Sequence, residues 1–163
     1  MTDRVEERTT PVRLRELAAA DVDRVAQIES VTNPSPWPRS LFAGELDLSP
    51  SVRHWLVAVA GGTVVGFGGL SFVLDTAHLL NLGVDPDHQR RGIGRRLCRE
   101  LEDEARRRGV SGLTLEVRES NRAAITLYRS LGMAPAGTRP GYYPDGESAM
   151  IFWKHDLEPW VES

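Results

Sequence analysis

LNLGVDPDHQRRGIGRR, residues 80–96, runs a strand into a helix through a basic turn that carries glycines. The apolar run Leu79-Leu80-Asn81-Leu82-Gly83-Val84 predicts a strand. Asp85-Pro86 ends it, because Pro86 has no N–H to give a central ladder. Gln89-Arg90-Arg91-Gly92-Ile93-Gly94 predicts a turn, and the residues directly after it a long amphipathic helix. Strand, glycine turn and helix in that order make an anion site. Free backbone N–H groups and the positive end of the helix dipole converge where the glycines let a phosphate come close.

A pair of glycines also occurs in plain turns, so the class of loop has to be argued. Gly94 is not followed by Lys-Ser or Lys-Thr, which excludes a Walker A loop. A dinucleotide fingerprint would want a small residue where Leu97 stands, and would open a domain instead of following several elements. What is left is Gln89-x-x-Gly92-x-Gly94 behind a Val84-Asp85-Pro86 strand exit.

Working outward, Val12 to Arg15 alternates as a short strand, and Ala18 to Ser30 carries Val22, Val25, Ala26 and Ile28-Glu29 near helical spacing. The prolines of residues 33–38 predict a loop containing Pro36 and Trp37, and Arg39 to Leu46 a short helix burying Leu41, Phe42 and Leu46. His54 to Ala60 and Val64 to Leu74 flank Gly61-Gly62 as a hairpin. Gly66, Gly68 and Gly69 predict a bulge or a close backbone approach.

The helix after Gly94 places Leu97, Leu101 and Ala105 on one side and stops at Gly109. Leu113 to Val117 alternates, turning Glu116 away from Leu115 and Val117. Ser120 or Asn121 caps a helix that runs to Leu131 before Gly132. Met133 to Tyr143 and Ala149 to Lys154 predict closing strands about Pro144-Asp145-Gly146. The order β-α-α-β-β-β-α-β-α-β-β predicts an α+β fold with a mixed, mostly antiparallel sheet flanked by helices. Residues 1–11 are expected to be a solvated lead-in, 12–157 one domain, and 158–163 a tail.

The 163 residues, 40% hydrophobic and 26% charged, suit one ordinary globular domain. A net charge of −3 gives no reason to expect nucleic acid or a membrane as partner. Cys98 is the only cysteine, which excludes an internal disulfide and a cysteine-based zinc cluster. The polar start MTDRVEERTT has no signal-peptide core, and no run approaches a membrane span, so the expected location is cytoplasmic. His78 and His88 show no metal spacing and are read as surface or packing residues. Arg106-Arg107-Arg108 reads as a solvated helix end that opposes the dipole.

VDPDHQRRGIGRRL resembles the acyl-CoA pyrophosphate loop of the Gcn5-related N-acetyltransferases, and LEVRESNRAAITLYRSLGM, Leu115 to Met133, resembles the second half of the same superfamily. With Tyr142-Tyr143-Pro144-Asp145-Gly146-Glu147 following, the chain is similar to the N-terminal protein acetyltransferases, nearest to the bacterial RimI type. The resemblance covers about residues 12–156 and implies acetyl-CoA as co-substrate, no metal, and the N-terminal amine of a protein, a ribosomal one, as acceptor. It implies that the backbone of Leu82, Gly83 and Val84 lines the pantetheine arm, with the Val84 N–H near the thioester oxygen. Gln89 and the run Arg90, Arg91, Gly92, Ile93, Gly94 and Arg95 would wrap the pyrophosphate, and Asn121 would hydrogen-bond the CoA arm.

Within that resemblance Glu116 is the candidate general base. A protonated α-amine cannot attack until it loses a proton, and a partly buried carboxylate is expected to have a raised pKa. The plainer reading of Glu116 is an exposed strand residue in an ion pair. Tyr128 is the candidate acid for the leaving thiolate, seven residues beyond Asn121 on one helix face, about 10 Å along the axis. It also reads as a core tyrosine beside Ala124, Leu127 and Leu131, and the two roles are compatible.

Tyr142 and Tyr143 resemble substrate-backbone tyrosines; on a strand only one of them would face the substrate. Trp37 and Phe42 would form the opposite wall or anchor the loop to the core. Met133 stands where the family has Phe, and residues 138–141 differ from the nearest relatives, which touches substrate identity and not catalysis. Two other readings stay open: the same chemistry on a small-molecule amine, and an acyl-CoA-binding module without catalysis. Oligomeric state is open.

Overall fold

In the computed structural model, which describes residues 10–162, the strands are β1 Val12–Glu16, β2 Arg53–Ala60, β3 Thr63–Val73, β4 Thr76–Val84, β5 Gly112–Arg118, β6 Ala134–Arg139 and β7 Ala149–Lys154. The helices are α1 Val22–Thr32, α2 Arg39–Glu45, α3 Ile93–Arg107 and α4 Arg122–Ser130. The expected lead-in lies, as far as residue 9, outside the described residues. One sheet of seven strands has the order β1-β2-β3-β4-β5-β7-β6. Every neighbouring pair is antiparallel except β4 and β5, which α3 joins as a parallel crossover. The fold is α+β with a mixed sheet.

Each face of the sheet has its own core. Leu97, Leu101 and Ala105 of α3 pack with Leu56, Ala58, Leu70, Leu79, Leu115, Val117 and Phe152. Val22, Val25 and Ile28 of α1 and Phe42 of α2 pack with Trp55, Val57, Val59 and Phe67 on the other side. Alternate residues of β2 therefore enter different cores, and its run Trp55 to Ala60 is buried throughout.

Gly61 and Gly62 both take positive φ, 57° and 78°, as a two-residue hairpin turn requires. Register shifts fall beside the β3 glycines, between Ala58 and Val59 on β2 and between Gly69 and Leu70 on β3. Gly69 lies under the Trp55 ring, where an added Cβ would be 2.2 Å from ring carbons. We expect Gly69→Ala to lower stability by about 1–3 kcal/mol, because the ring has no room to yield. Thermal unfolding checks this, and an unchanged Tm would show that the packing is looser than described.

The closing strand is shorter than the sequence suggested. β6 ends at Arg139, since Pro140 offers no N–H and Gly141 turns the chain at φ 62°. Tyr142 and Tyr143 thus sit in a turn, and the strand rule that would send them to opposite faces does not apply. Helix α1 begins four residues later than expected, after a 3-10 turn at Ala19–Asp21, where Asp21 binds the Ala18 N–H and Arg15.

Beyond Leu157, which is buried, the tail lies against α3: the Glu158 carbonyl accepts from Arg106, and the Arg107 guanidinium stands 4.3 Å from the centre of the Trp160 ring. Cys98 is a core residue, and burial pushes its thiol up to about 12, where it is inert.

Candidate active site

The site begins as a fault in the sheet. β4 and β5 are paired only over Thr76–His78 and Gly112–Thr114. Opposite Gly69 and Leu70, β4 holds one extra residue: Gly69 pairs with Asn81 and Leu70 with Leu79, which leaves Leu80 as a bulge. A bulge bends its strand and adds twist, and β5 stays paired to β7 out to Arg118. The two strands therefore diverge, and a cleft of about 600 Å³ opens between them.

The bulge also changes which way side chains point. Strict alternation would put Asn81 beside Leu79, toward α3. Instead Leu80 packs with the α1 core, Asn81 donates to the Glu29 carboxylate of α1 at 2.5 Å, and Leu82 joins the α3 core. Asn81 Oδ1 accepts the Leu82 N–H at 2.9 Å, so that N–H points to the β5 side, away from β3. The two-residue period aims the Val84 N–H out of the same edge, and the Val84 carbonyl accepts from Gln89 Nε2 at 3.1 Å. Gly83 is required by packing, since a Cβ there would lie 2.6 Å from the Phe67 ring.

On the α3 side, the helix opens at Gly92, whose φ of 77° favours glycine and whose surroundings are open. Arg96 N bonds Gly92 O at 3.0 Å as the first helical bond, leaving the N–H groups of residues 92–95 without intrahelical acceptors. Gln89, Arg90 and Arg91 are exposed beside them, and Arg90 is itself left-handed at φ 64°. Arg95 is tied to Ser130 of α4. Ile93 is 2% exposed with its side chain in the core, so it can serve an anion only through its backbone. Asn121 is the cap of α4, its Oδ1 accepting from Ala124 N at 3.2 Å. It lines the cleft together with Tyr128 of the same helix. Burial drives the Tyr128 phenol well above its ordinary range and keeps it protonated.

On the α1 side stand Glu116, His78, Trp37, Tyr142 and Tyr143. Glu116 Oε2 lies 2.5 Å from His78 Nε2, and Glu116 Oε1 lies 3.4 Å from Arg139 Nε. These partners change the expected electrostatics. The His78 hydrogen bond outweighs burial and, with Arg139, holds the Glu116 carboxyl below the usual carboxylate range. Its pKa is lowered, not raised, because the charge is paired. His78 is likewise no surface or packing residue; it faces the site. Among the carboxylates lining the cleft, the one that burial pushes up is Glu29, 1% exposed and tied to Asn81 and the Trp37 N–H. Both tyrosines line the cleft, edge to face with centroids 5.0 Å apart, and burial raises the Tyr143 phenol to about 12. Trp37 lines the cleft and meets the Phe42 ring at a tilt, centroids 5.3 Å apart, whereas Phe42 is fully buried and is not part of the wall.

Arg118 joins the walls on this side. It is 7% exposed, binds Asp145 and Glu147 of the turn before β7 and Ser35 of the α1–α2 loop, and lies 4.1 Å from the Tyr143 ring centre. The sequence reading missed Glu29, Asn81, His78, Arg118 and Arg139. Glu29 alone left a local signal: a charge four residues after Val25 on the apolar stripe of α1. Among the described residues no group of three or more His, Cys, Asp or Glu side chains could hold a metal, and no helix is long and apolar enough to cross a membrane.

The open sheet is thus split beside its parallel crossover, with a helix N-terminus at one mouth and a carboxylate at the other. Residues 22–133 match the model of the acetyltransferase (GNAT) family, and the chain belongs to that family. It is 45% identical over 141 residues to the N-alpha-acetyltransferase RimI of Mycobacterium tuberculosis, covering 83% of this chain and 86% of that one. The structure of the ribosomal-protein-S18-alanine N-acetyltransferase of Escherichia coli superposes with a TM-score of 0.82 at 37% identity, covering 94% of this chain and 98% of that one. Arabidopsis thaliana NAA60 in complex with acetyl-CoA shares the fold, with a TM-score of 0.81 at 20% identity over 89% of this chain and 98% of that one.

Proposed function

We propose that the protein transfers the acetyl group of acetyl-CoA to the N-terminal α-amine of a protein, a ribosomal protein beginning with alanine. The observation that carries this reading is the cleft through the sheet, which gives two substrates access to one point from opposite faces. The donor side has free N–H groups and arginines for a pyrophosphate and a strand edge for an extended amide-bearing arm. Residues 92–95 offer N–H groups at the positive end of α3, with Arg90 and Arg91 beside them. Acetyl-CoA supplies an acetyl group activated as a thioester.

The Val84 N–H is a fixed dipole for the charge that develops on the acyl oxygen. The Glu116–His78 pair takes the proton of the incoming amine, directly or through water, and shares it across their 2.5 Å contact. Tyr128, held neutral by burial, gives its hydroxyl proton to the departing sulfur. The amine nitrogen thus gains a bond to the acetyl carbon as the carbon–sulfur bond breaks. An amine that enters protonated loses two protons in all, one before attack and one as the amide forms. One proton reaches the thiolate through Tyr128, which is reprotonated from solvent, and the other is released. The aromatic walls Trp37, Tyr142 and Tyr143 and the Arg118 tie suit an extended peptide better than a small amine, which needs no groove.

The test is a panel of peptides differing in the first residue, incubated with protein and acetyl-CoA, with CoA release and peptide mass as readouts. Acetylation at the α-amine, fastest with Ala first, is the expected result. Faster turnover of free amines would favour the small-molecule reading, and CoA binding without any acetylated amine would favour the binding module.

A further inference from the structure

Both oxygens of Glu116 already have a partner: Oε2 has His78 at 2.5 Å and Oε1 has Arg139 at 3.4 Å. The two partners are held very differently. His78 stands in the paired part of β4, with its side chain 32% exposed. Arg139 is the last residue of the edge strand β6, its side chain is 54% exposed, and its other neighbour is the Tyr142 ring, 6.0 Å away.

Its reach follows from register. Glu116 pairs with Ile151 and Ile151 with Gly137, so these three and Arg139 share a face. Gly137 puts no side chain over Ile151, and an arginine two residues on can lean back across two strand spacings, about 10 Å, to the carboxylate. A 3.4 Å contact from an exposed guanidinium is long for a hydrogen bond and easily given up.

We infer that Arg139 is a displaceable placeholder for the substrate's amine: it covers Glu116 Oε1 in the free protein and swings out when the N-terminus enters. This rests on the proposed function in one respect, that Glu116 faces the amine. The device has a chemical logic. An unpartnered carboxylate at the end of an open cleft would attract any small cation, whereas a tethered guanidinium yields only to a cation that the groove also holds through its walls. The other charges on this face are engaged elsewhere, Arg118 with Asp145 and Glu147 and Glu29 with Asn81.

The test compares wild type with Arg139→Gln and Arg139→Lys. Removing the competing charge should lower the peptide KM about two- to fivefold, the range an exposed ion pair allows. The kcat and the acetyl-CoA KM should stay within about twofold, and Arg139→Lys should return the peptide KM toward wild type. A second readout needs no activity: the Glu116 carboxyl, followed by carbon NMR, should titrate at higher pH in Arg139→Gln. An unmoved titration overturns the inference because the contact is then absent in solution. An unchanged or raised peptide KM overturns it too, a raised one marking Arg139 as a peptide-binding group. If wild type acetylates no peptide, the proposed function fails and the placeholder role with it. Turnover by wild type with no fall in KM overturns this inference alone.

Discussion

Glu116→Gln should reduce kcat for a peptide amine by about 10²–10⁴-fold while leaving the acetyl-CoA KM unchanged. Glutamine keeps the shape and can still accept from His78, but it cannot take a proton or balance a charge on the imidazole. The acetyl-CoA side should be indifferent, because the N–H groups of residues 92–95 lie across the sheet from Glu116.

The pH dependence has a definite sign. His78 and Arg139 lower the Glu116 pKa, so the carboxylate is fully ionised above the ordinary carboxyl range and loses its charge only below it. It therefore adds no limb to kcat/KM between pH 5 and 9. The limb in that window near pH 8 belongs to the α-amine, whose ordinary pKa is about 7.7–8.0. Glu116→Gln should lower the plateau without moving that limb. The same linkage makes the Glu116 contribution to stability present above the unfolded carboxyl pKa and lost as pH falls through the lower folded value. A wild-type limb between about pH 4.5 and 6 that vanishes in Glu116→Gln would show a raised carboxyl and sink the paired-charge account.

Phe42→Ala carries the largest stability effect. The ring is 0% exposed and meets Trp37 at 5.3 Å, Phe67 at 5.5 Å and Trp55 at 5.9 Å. Truncation loses the transfer free energy of the ring and leaves a cavity that three other rings cannot fill, a cost of about 3–5 kcal/mol. For a chain of this length that corresponds to a fall in Tm of roughly 6–20 °C.

The loss should also reach function, because Trp37 rests on Phe42 and forms a wall of the cleft. The peptide KM should rise while the acetyl-CoA KM stays near wild type, measured well below the new Tm. A drop of only a degree or two would mean that α2 is not anchored through this ring.

What sequence reading could reach is set by range. The helix after Gly94 was legible because its stripe Leu97, Leu101, Ala105 repeats within a few residues, and the stop at Gly109 is a local backbone requirement. The hairpin at Gly61-Gly62 and the α4 cap at Asn121 are equally local. Glu116 and Tyr128 were identifiable as candidates through resemblance, but their surroundings were not. Glu116 meets His78 across 38 positions of sequence and Arg139 across the register of β5, β7 and β6. Its pKa was misjudged for that reason: burial could be guessed from alternation, a partner could not. The tyrosine pair was misplaced because alternation was carried through Pro140-Gly141, where the strand had ended.

The sequence by itself determined a strand that must stop at Pro86, a turn with glycine at a left-handed position, and a helix whose first N–H groups face outward. Backbone chemistry within one short stretch decides all of that, so the strand end, the turn and the start of α3 were legible locally. The acceptor half of the cleft is a product of tertiary structure. One extra residue at Leu80 bends β4 from β5, opens the sheet and turns Asn81 toward Glu29. The β3 glycines mark its neighbourhood, but which strand carries the extra residue is decided only in the pairing of β4 with β3. Ladder register, a property of two strands together, therefore decides where His78, Glu116 and Arg139 meet.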